Sequence, residues 1–217
     1  FKEFESVTAK LRHAFTAIPA GKGLLSPCNW VLRARPEVVY LHRNKGLEQA
    51  ISDARTLLRE STAAPTRCKE LVAGWPDYIG VQDASGQGVG GVVFGENKAC
   101  PPTVFRYEWP DYIKKELVSF KNPRGTITNS DLEMAGLLVL WLVMEEVCDV
   151  KDSHVALFSD NSPTVHWVQH LTAKHSAIAM QLIRALALRL QLARASPLTP
   201  MHIAGVNNSL TDIPSRS

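Results

Sequence analysis

The stretch "IGVQDASGQGVGGVVFG", residues 79–95, decides how this chain is read. An apolar run of strand length ends on an acid, Asp83, and five glycines follow between Gly86 and Gly95. The short link "SGQG" at 85–88 can only reverse the chain, so 78–84 and 88–94 are expected to pair antiparallel. Glycines at that density either let another backbone approach closely or serve only the hairpin and the packing of the sheet.

Outward from that hairpin, further strand-length runs lie at 104–109, 154–159 and 201–206. Helical patterns fill 129–148, 162–170 and 174–195, with a last short one after Asn208, giving the order β-β-β-α-β-α-α-β-α. The helix between the third and fourth runs permits a crossover that lays 154–159 parallel to 78–84. The expected fold is α/β: a mixed five-stranded sheet, three antiparallel strands and then parallel additions, flanked by helices. Upstream, 1–16 and 46–60 read as helices, the second from Leu47, Ile51, Ala54 and Leu58 at helical spacing. The stretch between them, "IPAGKGLLSP" (18–27), is punctuated for a loop, and "STAAPTR" (61–67) for a connection. The expected division is a helical segment over 1–70 and the sheet domain over 71–217.

Of 217 residues, 45% are hydrophobic and 21% charged, an ordinary globular composition. The chain starts on Phe and is expected to be cut from a longer polypeptide or to have lost its start. The longest apolar run, 134–144, is too short to cross a bilayer, so no membrane association is expected. Cys28, Cys68, Cys100 and Cys148 form no C-x-x-C pair, which predicts four free thiols and an intracellular, reducing location in cytoplasm or nucleus. Residues 1–74 hold 12 Lys/Arg against 7 Asp/Glu, whereas 75–217 hold 12 against 14, and a basic front suits contact with a polyanion.

The strings "YIGVQDAS" (78–85) and "HVALFSDN" (154–161) each run apolar residues into an aspartate. Side by side and parallel, such strands would hold Asp83 and Asp160 at one level of the sheet. Glu133, in "TITNSDLEMAGLLVLW" (126–141), stands near the start of a helix that is otherwise apolar nearly all round; its neighbour Asp131 is read as an N-cap or first-turn acid instead. Asp212, in "HIAGVNNSLTDIPSR" (202–216), comes near the start of the last short helix. Two ionised carboxylates about 4 Å apart repel by roughly 4 kcal/mol at an effective dielectric near 20. A cluster of four therefore requires cations or protons. Hard oxygen donors suit Mg²⁺, and a pair of such ions would activate water and stabilise the leaving oxygen in phosphodiester cleavage.

The order Asp, Glu, Asp, Asp on this succession of elements is similar to the ribonuclease H fold. The strings "VQDASGQGVGGVV", "TNSDLEMAGLL", "FSDNSPTVHWV" and "HIAGVNNSLTDIPSR" resemble the ribonuclease H domain of retroelement reverse transcriptases. That resemblance covers 71–217; "LRHAFTAIPAGKGLLSP" (11–27) looks like the thumb-to-connection region of the same enzymes. What it implies is endonucleolytic cleavage of the RNA strand of an RNA–DNA hybrid. Asp83, Glu133, Asp160 and Asp212 would hold two Mg²⁺ ions, with Mn²⁺ able to substitute. By the same resemblance Asp83 would bridge both ions, Asp212 would serve the ion that activates water, and Glu133 with Asp160 the ion at the leaving side. The implied partners are the hybrid and the remainder of the reverse transcriptase polyprotein. No Asp-Asp dipeptide is present, so polymerisation is not expected.

For the substrate, Asn129 and Asn161 are candidates to meet 2′-hydroxyls. Ser85 and Gly86 would lie against the backbone at the turn, and Lys114 and Lys115, with Lys121 and Arg124, would meet phosphates. Cellular and retroviral members of the family carry a histidine shortly before the fourth acid; residues 203–211 have none, so slow turnover is expected, and His202 is read as ending a strand. His166 and His170 lie one helical turn apart without a third zinc ligand and read as a surface pair. Trp109 and Trp141 read as core, and Arg184, Arg189 and Arg194 recur every five residues, too widely fanned to form one strip. The competing reading is a catalytically idle ribonuclease H-like connection module that binds nucleic acid or scaffolds a partner; retention of all four acids weighs against it. An integrase-type strand transferase is disfavoured because no helix-borne Glu follows the second Asp in the required pairing.

Overall fold

The computed structural model describes residues 1–72, 74–95, 101–173, 175–195, 198–208 and 211. Five strands form one sheet: β1 (Tyr78–Ala84), β2 (Gly88–Gly95), β3 (Thr103–Glu108), β4 (Val155–Ser159) and β5 (Thr199–His202), in the order β3-β2-β1-β4-β5. β1 pairs antiparallel with β2, and β2 with β3; β4 joins β1 in parallel and β5 joins β4 in parallel. This is the mixed five-stranded sheet, three antiparallel strands and then parallel additions, that the sequence implies. The hairpin between β1 and β2 closes through Ser85 N–H to Gly88 O at 2.8 Å, and the Ser85 hydroxyl accepts from Gln87 N–H at 3.1 Å. None of the described glycines has a positive φ, so the turn does not draw on glycine's left-handed freedom. Close approach is what excludes a side chain here: a Cβ on Gly91 would stand 2.3 Å from the Phe105 ring, and one on Gly88 would stand 2.4 Å from Tyr107 O.

One face of the sheet is covered by α6 (Asn129–Val147), with α8 (Ala177–Ala193) packed beside it. Met134, Leu137, Leu140, Trp141 and Met144 of α6 join Val93, Val155 and Leu157 of the sheet and Ile183, Leu186 and Leu190 of α8 in the main core. The start of α6 is a capping box: Thr128 Oγ1 accepts from Asp131 N–H at 3.3 Å, and Asp131 Oδ2 accepts from Thr128 N–H at 2.9 Å. Asp131 also accepts from the Ser176 hydroxyl, which caps α8, so this acid ties two helix starts together. Trp109 and Trp141 are buried, as the sequence suggests.

The front of the chain supplies α1 (Lys2–Ala14), α2 (Gly21–Leu24), α3 (Asn29–Ala34) and α4 (Lys45–Ala63). Their apolar faces, with Phe15, Leu24, Leu25, Leu47, Ala54 and Leu57, close on Ala187 of α8 in a second core. Residues 18–27, expected as a loop, are instead wound into α2 and a 3-10 turn over Ser26–Cys28, and most of them are buried. The glycines there permit contact rather than flexibility: a Cβ on Gly23 would stand 2.7 Å from the Ala187 Cβ. Arg184 of α8 donates Nε–H to Asp53 of α4 at 2.7 Å, and Arg189 donates to Glu145 of α6 at 2.8 Å, so the arginines fan out to different neighbours.

Three other expectations change. β5 runs over Thr199–His202 rather than 201–206, and it admits Pro200 because it is an edge strand, where a missing backbone donor breaks no inner ladder. A short helix not anticipated, α5 (Asp111–Lys115), follows β3. Cys28 (buried) and Cys68 (exposed) are free thiols, but Cys148 is disulfide-bonded, against the expectation of four free thiols. Sequence spacing does not reveal which sulfurs a fold brings together, and Cys100 lies outside the described residues. Among the described residues no helix is long and apolar enough to cross a membrane.

Candidate active site

Three elements converge at one corner of the sheet. Parallel register sets Val81 of β1 opposite Phe158 of β4, so two residues further along, both strands deliver an aspartate, Asp83 and Asp160, at the same level. α6 crosses β1 closely enough that a Cβ on Gly136 would stand 2.5 Å from Gln82 Oε1, and this seats Glu133, in the helix's second turn, over the strand end. One carboxylate oxygen from each of Asp83, Glu133 and Asp160 lies within 4.8 Å of the others. Asp83 is 5% exposed and Glu133 2%, whereas Asp160 is half-buried.

Glu133 is held in place by its neighbours. Gln82 donates Nε2–H to Glu133 Oε2 at 3.0 Å, the Ser159 hydroxyl reaches the same oxygen at 3.5 Å, and the Ala84 backbone N–H also donates to the carboxylate. Burial nevertheless dominates and pushes its pKa up to about 8; the charges of Asp83 and Asp160 push the same way, while the Gln82 and Ala84 donors pull against them. Near neutrality this acid therefore keeps its proton unless a cation compensates the corner.

The closing segment is laid against the same corner. His202 Nε2 stands 3.0 Å from Asp160 O, and a Cβ on Gly205 would be 3.2 Å from Asp160 Oδ2. Asn208, buried, donates to Gln82 O at 3.2 Å, and Thr211 N–H donates back to Asn208 O at 3.0 Å. Gln82 Oε1 and Asn208 Oδ1 are buried with no hydrogen-bond partner among the described residues. Asp212, the fourth acid expected here, lies outside the described residues.

The remaining residues nominated from sequence occupy the surroundings. Ser85 and Gly86 form the β1–β2 turn. Asn129 is exposed at the start of α6. Asn161 is engaged as the N-cap of α7 (Ser162–His170): its Oδ1 accepts from Thr164 N–H at 3.0 Å while Nδ2 points to Ser130 Oγ at 3.5 Å. Lys114 is ion-paired with Glu108, and Lys115 is exposed. His170 Nδ1 contacts His166 O at 2.9 Å on an exposed helix face, and the metal-capable group among the described residues is the trio of acids. Sequence reading missed Gln82 and Ser159 and gave Asn208 no role. The available signal was a polar residue beside each aspartate inside an otherwise apolar strand, which is unexpected unless it is hydrogen-bonded.

No family model matches this chain, and no curated protein matches it. Among solved structures, the N-terminal RNase H domain of a Mycobacterium tuberculosis protein is similar at 13% identity, covering 63% of this chain and 94% of that one, with a TM-score of 0.43. RNase H1 of the halophilic archaeon Halobacterium salinarum is similar at 13% identity over 63% and 91% of the two chains, TM-score 0.39. LC11-RNase H1 from compost, solved with an RNA/DNA hybrid, is similar at 16% identity over 63% and 92%, TM-score 0.38. The functional reading rests on the site.

Proposed function

We propose that this chain hydrolyses the RNA strand of RNA–DNA hybrids endonucleolytically with the help of divalent ions, as the ribonuclease H part of a retroelement reverse transcriptase. Residues 71–217 would carry that activity and 1–70 would be the thumb- or connection-like segment. The observation that carries the reading is the convergence of Asp83, Glu133 and Asp160 from β1, α6 and β4 within 4.8 Å, two of them buried.

The donors fit the ion. All three are hard carboxylate oxygens, the set that Mg²⁺ prefers and Mn²⁺ accepts, and burial, with the nearby charges of Asp83 and Asp160, pushes the Glu133 pKa up to about 8. Asp83, Glu133 and Asp160 would hold the metal, with Asp212 as the proposed fourth ligand. Two bound ions would lower the pKa of an attacking water and stabilise the departing oxygen. Gln82 and Ser159 orient Glu133, His202 contacts the Asp160 carbonyl, and Gly205 leaves room beside the Asp160 carboxylate. The retroelement setting is supported by the four sequence strings around the acids.

The test is cleavage of labelled RNA–DNA hybrid, duplex DNA and duplex RNA, with Mg²⁺ or with chelator, by the wild-type chain and by Asp83→Asn. Cutting of the hybrid's RNA strand alone, abolished by chelator and by the substitution, supports the proposal. Binding without cutting in every condition would instead identify an idle nucleic-acid-binding module.

A further inference from the structure

We propose that the segment 111–125, between β3 and α6, is a clamp for single-stranded nucleic acid adjoining the hybrid: Phe120 stacks on an unpaired base, and Lys115, Lys121 and Arg124 hold phosphates. This inference rests on the nuclease reading for its substrate and assigns a second contact beyond the acids.

Charge is concentrated there. Five of the twelve Lys/Arg of residues 75–217 fall within 105–125, beside three acids. Lys114 is taken by Glu108, and Glu116 accepts from the Thr126 hydroxyl at 3.1 Å. Lys115, Lys121 and Arg124 are exposed and make no ion pair among the described residues. Between them Phe120 is fully exposed, and Tyr112 is 69% exposed.

The aromatic ring is held out rather than left on a loose loop. Ser119 and Asn122 exchange backbone hydrogen bonds, each of 3.1 Å, and Asn122 Nδ2 donates back to Lys115 O at 2.9 Å, which closes the tip around Phe120 and Lys121. Below the tip, Val118 N–H donates to Ile127 O at 2.8 Å, and Ile113, Leu117 and Ile127 pack on Ala84, Val89 and Leu132. Trp109 Nε1–H locks onto Ser85 O at 2.9 Å. Ala84 and Leu132 are the chain neighbours of Asp83 and Glu133, so the projection is anchored beside the acids. A rigid turn that presents a bare phenyl ring among unpaired cations matches the chemistry of a strand with open base faces and a phosphate backbone. Within a duplex each base face is already stacked, which directs the ring to an unpaired nucleotide.

The experiment uses the full chain carrying Asp83→Asn, so that any cleavage is silenced, with a blunt labelled hybrid and with the same hybrid bearing a single-stranded overhang, across a range of salt. The overhang should tighten binding about tenfold, and Phe120→Ala should lose that increment while Phe120→Trp keeps it. Joint Lys121→Ala and Arg124→Ala should lower the slope of log affinity against log salt by about 1.4 to 1.8. The inference is overturned if the overhang adds nothing in the parent protein, or if these variants, with unchanged melting temperatures, bind both hybrids as the parent does. Failure of the nuclease reading is read separately, from cleavage by the chain with native Asp83: a chain that binds in this pattern but never cuts removes the nuclease and keeps the clamp. A chain that binds no hybrid at all ends both.

Discussion

The seam between α4 and α8 and the corner of the sheet both remove charge from water, and they treat it differently. At the seam between α4 and α8, Asp53 and Arg184, whose side chains are 12% and 17% exposed, neutralise each other. At the corner of the sheet, three acids, Asp83, Glu133 and Asp160, meet instead, and Glu133 is held by neutral donors from Gln82, Ser159 and Ala84. A buried charge is tolerable when paired, and costly when it is not. The seam pairs opposite charges; the corner gathers like ones, which on the proposed reading a divalent ion offsets.

The sharpest way to break this contrast is to remove one corner acid. Asp83→Asn keeps the shape of the side chain and deletes a ligand charge, so hybrid cleavage should fall at least about a hundredfold. Folding should survive, because a like charge has been taken from the cluster. Cleavage assays and a urea melt of the same protein separate the two effects. Full activity in Asp83→Asn would place the chemistry elsewhere.

At the seam the same kind of change should do the reverse. Asp53→Ala leaves the Arg184 guanidinium largely buried without its partner and should cost about 2 to 3 kcal/mol of stability, somewhat under the loss for a fully buried pair. Joint Asp53→Leu and Arg184→Leu should recover most of that loss. If the double variant is as unstable as the single one, packing rather than charge pairing holds α4 to α8.

Divalent ions should then distinguish the two regions directly. At about a hundred times its dissociation constant an ion adds about 2.7 kcal/mol to the folded state. Mg²⁺ or Mn²⁺ should raise the melting temperature of the wild-type chain and should do little for Glu133→Gln, while the Asp53→Ala chain, lowered at the start, should gain as much as wild type. Equal protection of the Glu133 variant would mean that the ion binds away from the corner.

Much of this contrast was legible before any coordinates. Short links between strand-length runs leave only hairpins, and parallel strands that each end in an aspartate could place them at one level, which the Val81–Phe158 register then does for Asp83 and Asp160. Glu133 could be marked as an acid on an apolar helix. What the sequence did not yield has physical causes. Gly21 and Gly23 look like loop residues because close helix contact and chain flexibility favour the same amino acid, and only the Ala187 side chain 2.7 Å from a hypothetical Cβ on Gly23 tells them apart. Pro200 hid the first half of β5, since proline is compatible with a strand only where that strand is an edge. Gln82 and Asn208 act through contacts between residues far apart in the chain, Asn208 Nδ2 to Gln82 O at 3.2 Å among them, and no local pattern encodes such a pair.

The pH dependence of stability tests the corner most directly. Burial raises the Glu133 pKa from the ordinary 4.5 to about 8, so the proton is bound more tightly in the folded chain than in the unfolded one. The stability this contributes is fully present below about pH 4.5 and is lost as pH rises to about 8. In chelator, urea unfolding should therefore show stability declining across that window, and the difference between wild type and Glu133→Gln should isolate the contribution of this one carboxyl. Because a divalent ion must displace the same proton, its protection of the wild-type chain should grow over the same pH range in which the ion-free chain weakens. Parallel pH profiles for wild type and Glu133→Gln would show that water already reaches this carboxylate, and the corner would no longer differ in kind from the paired charges at the seam.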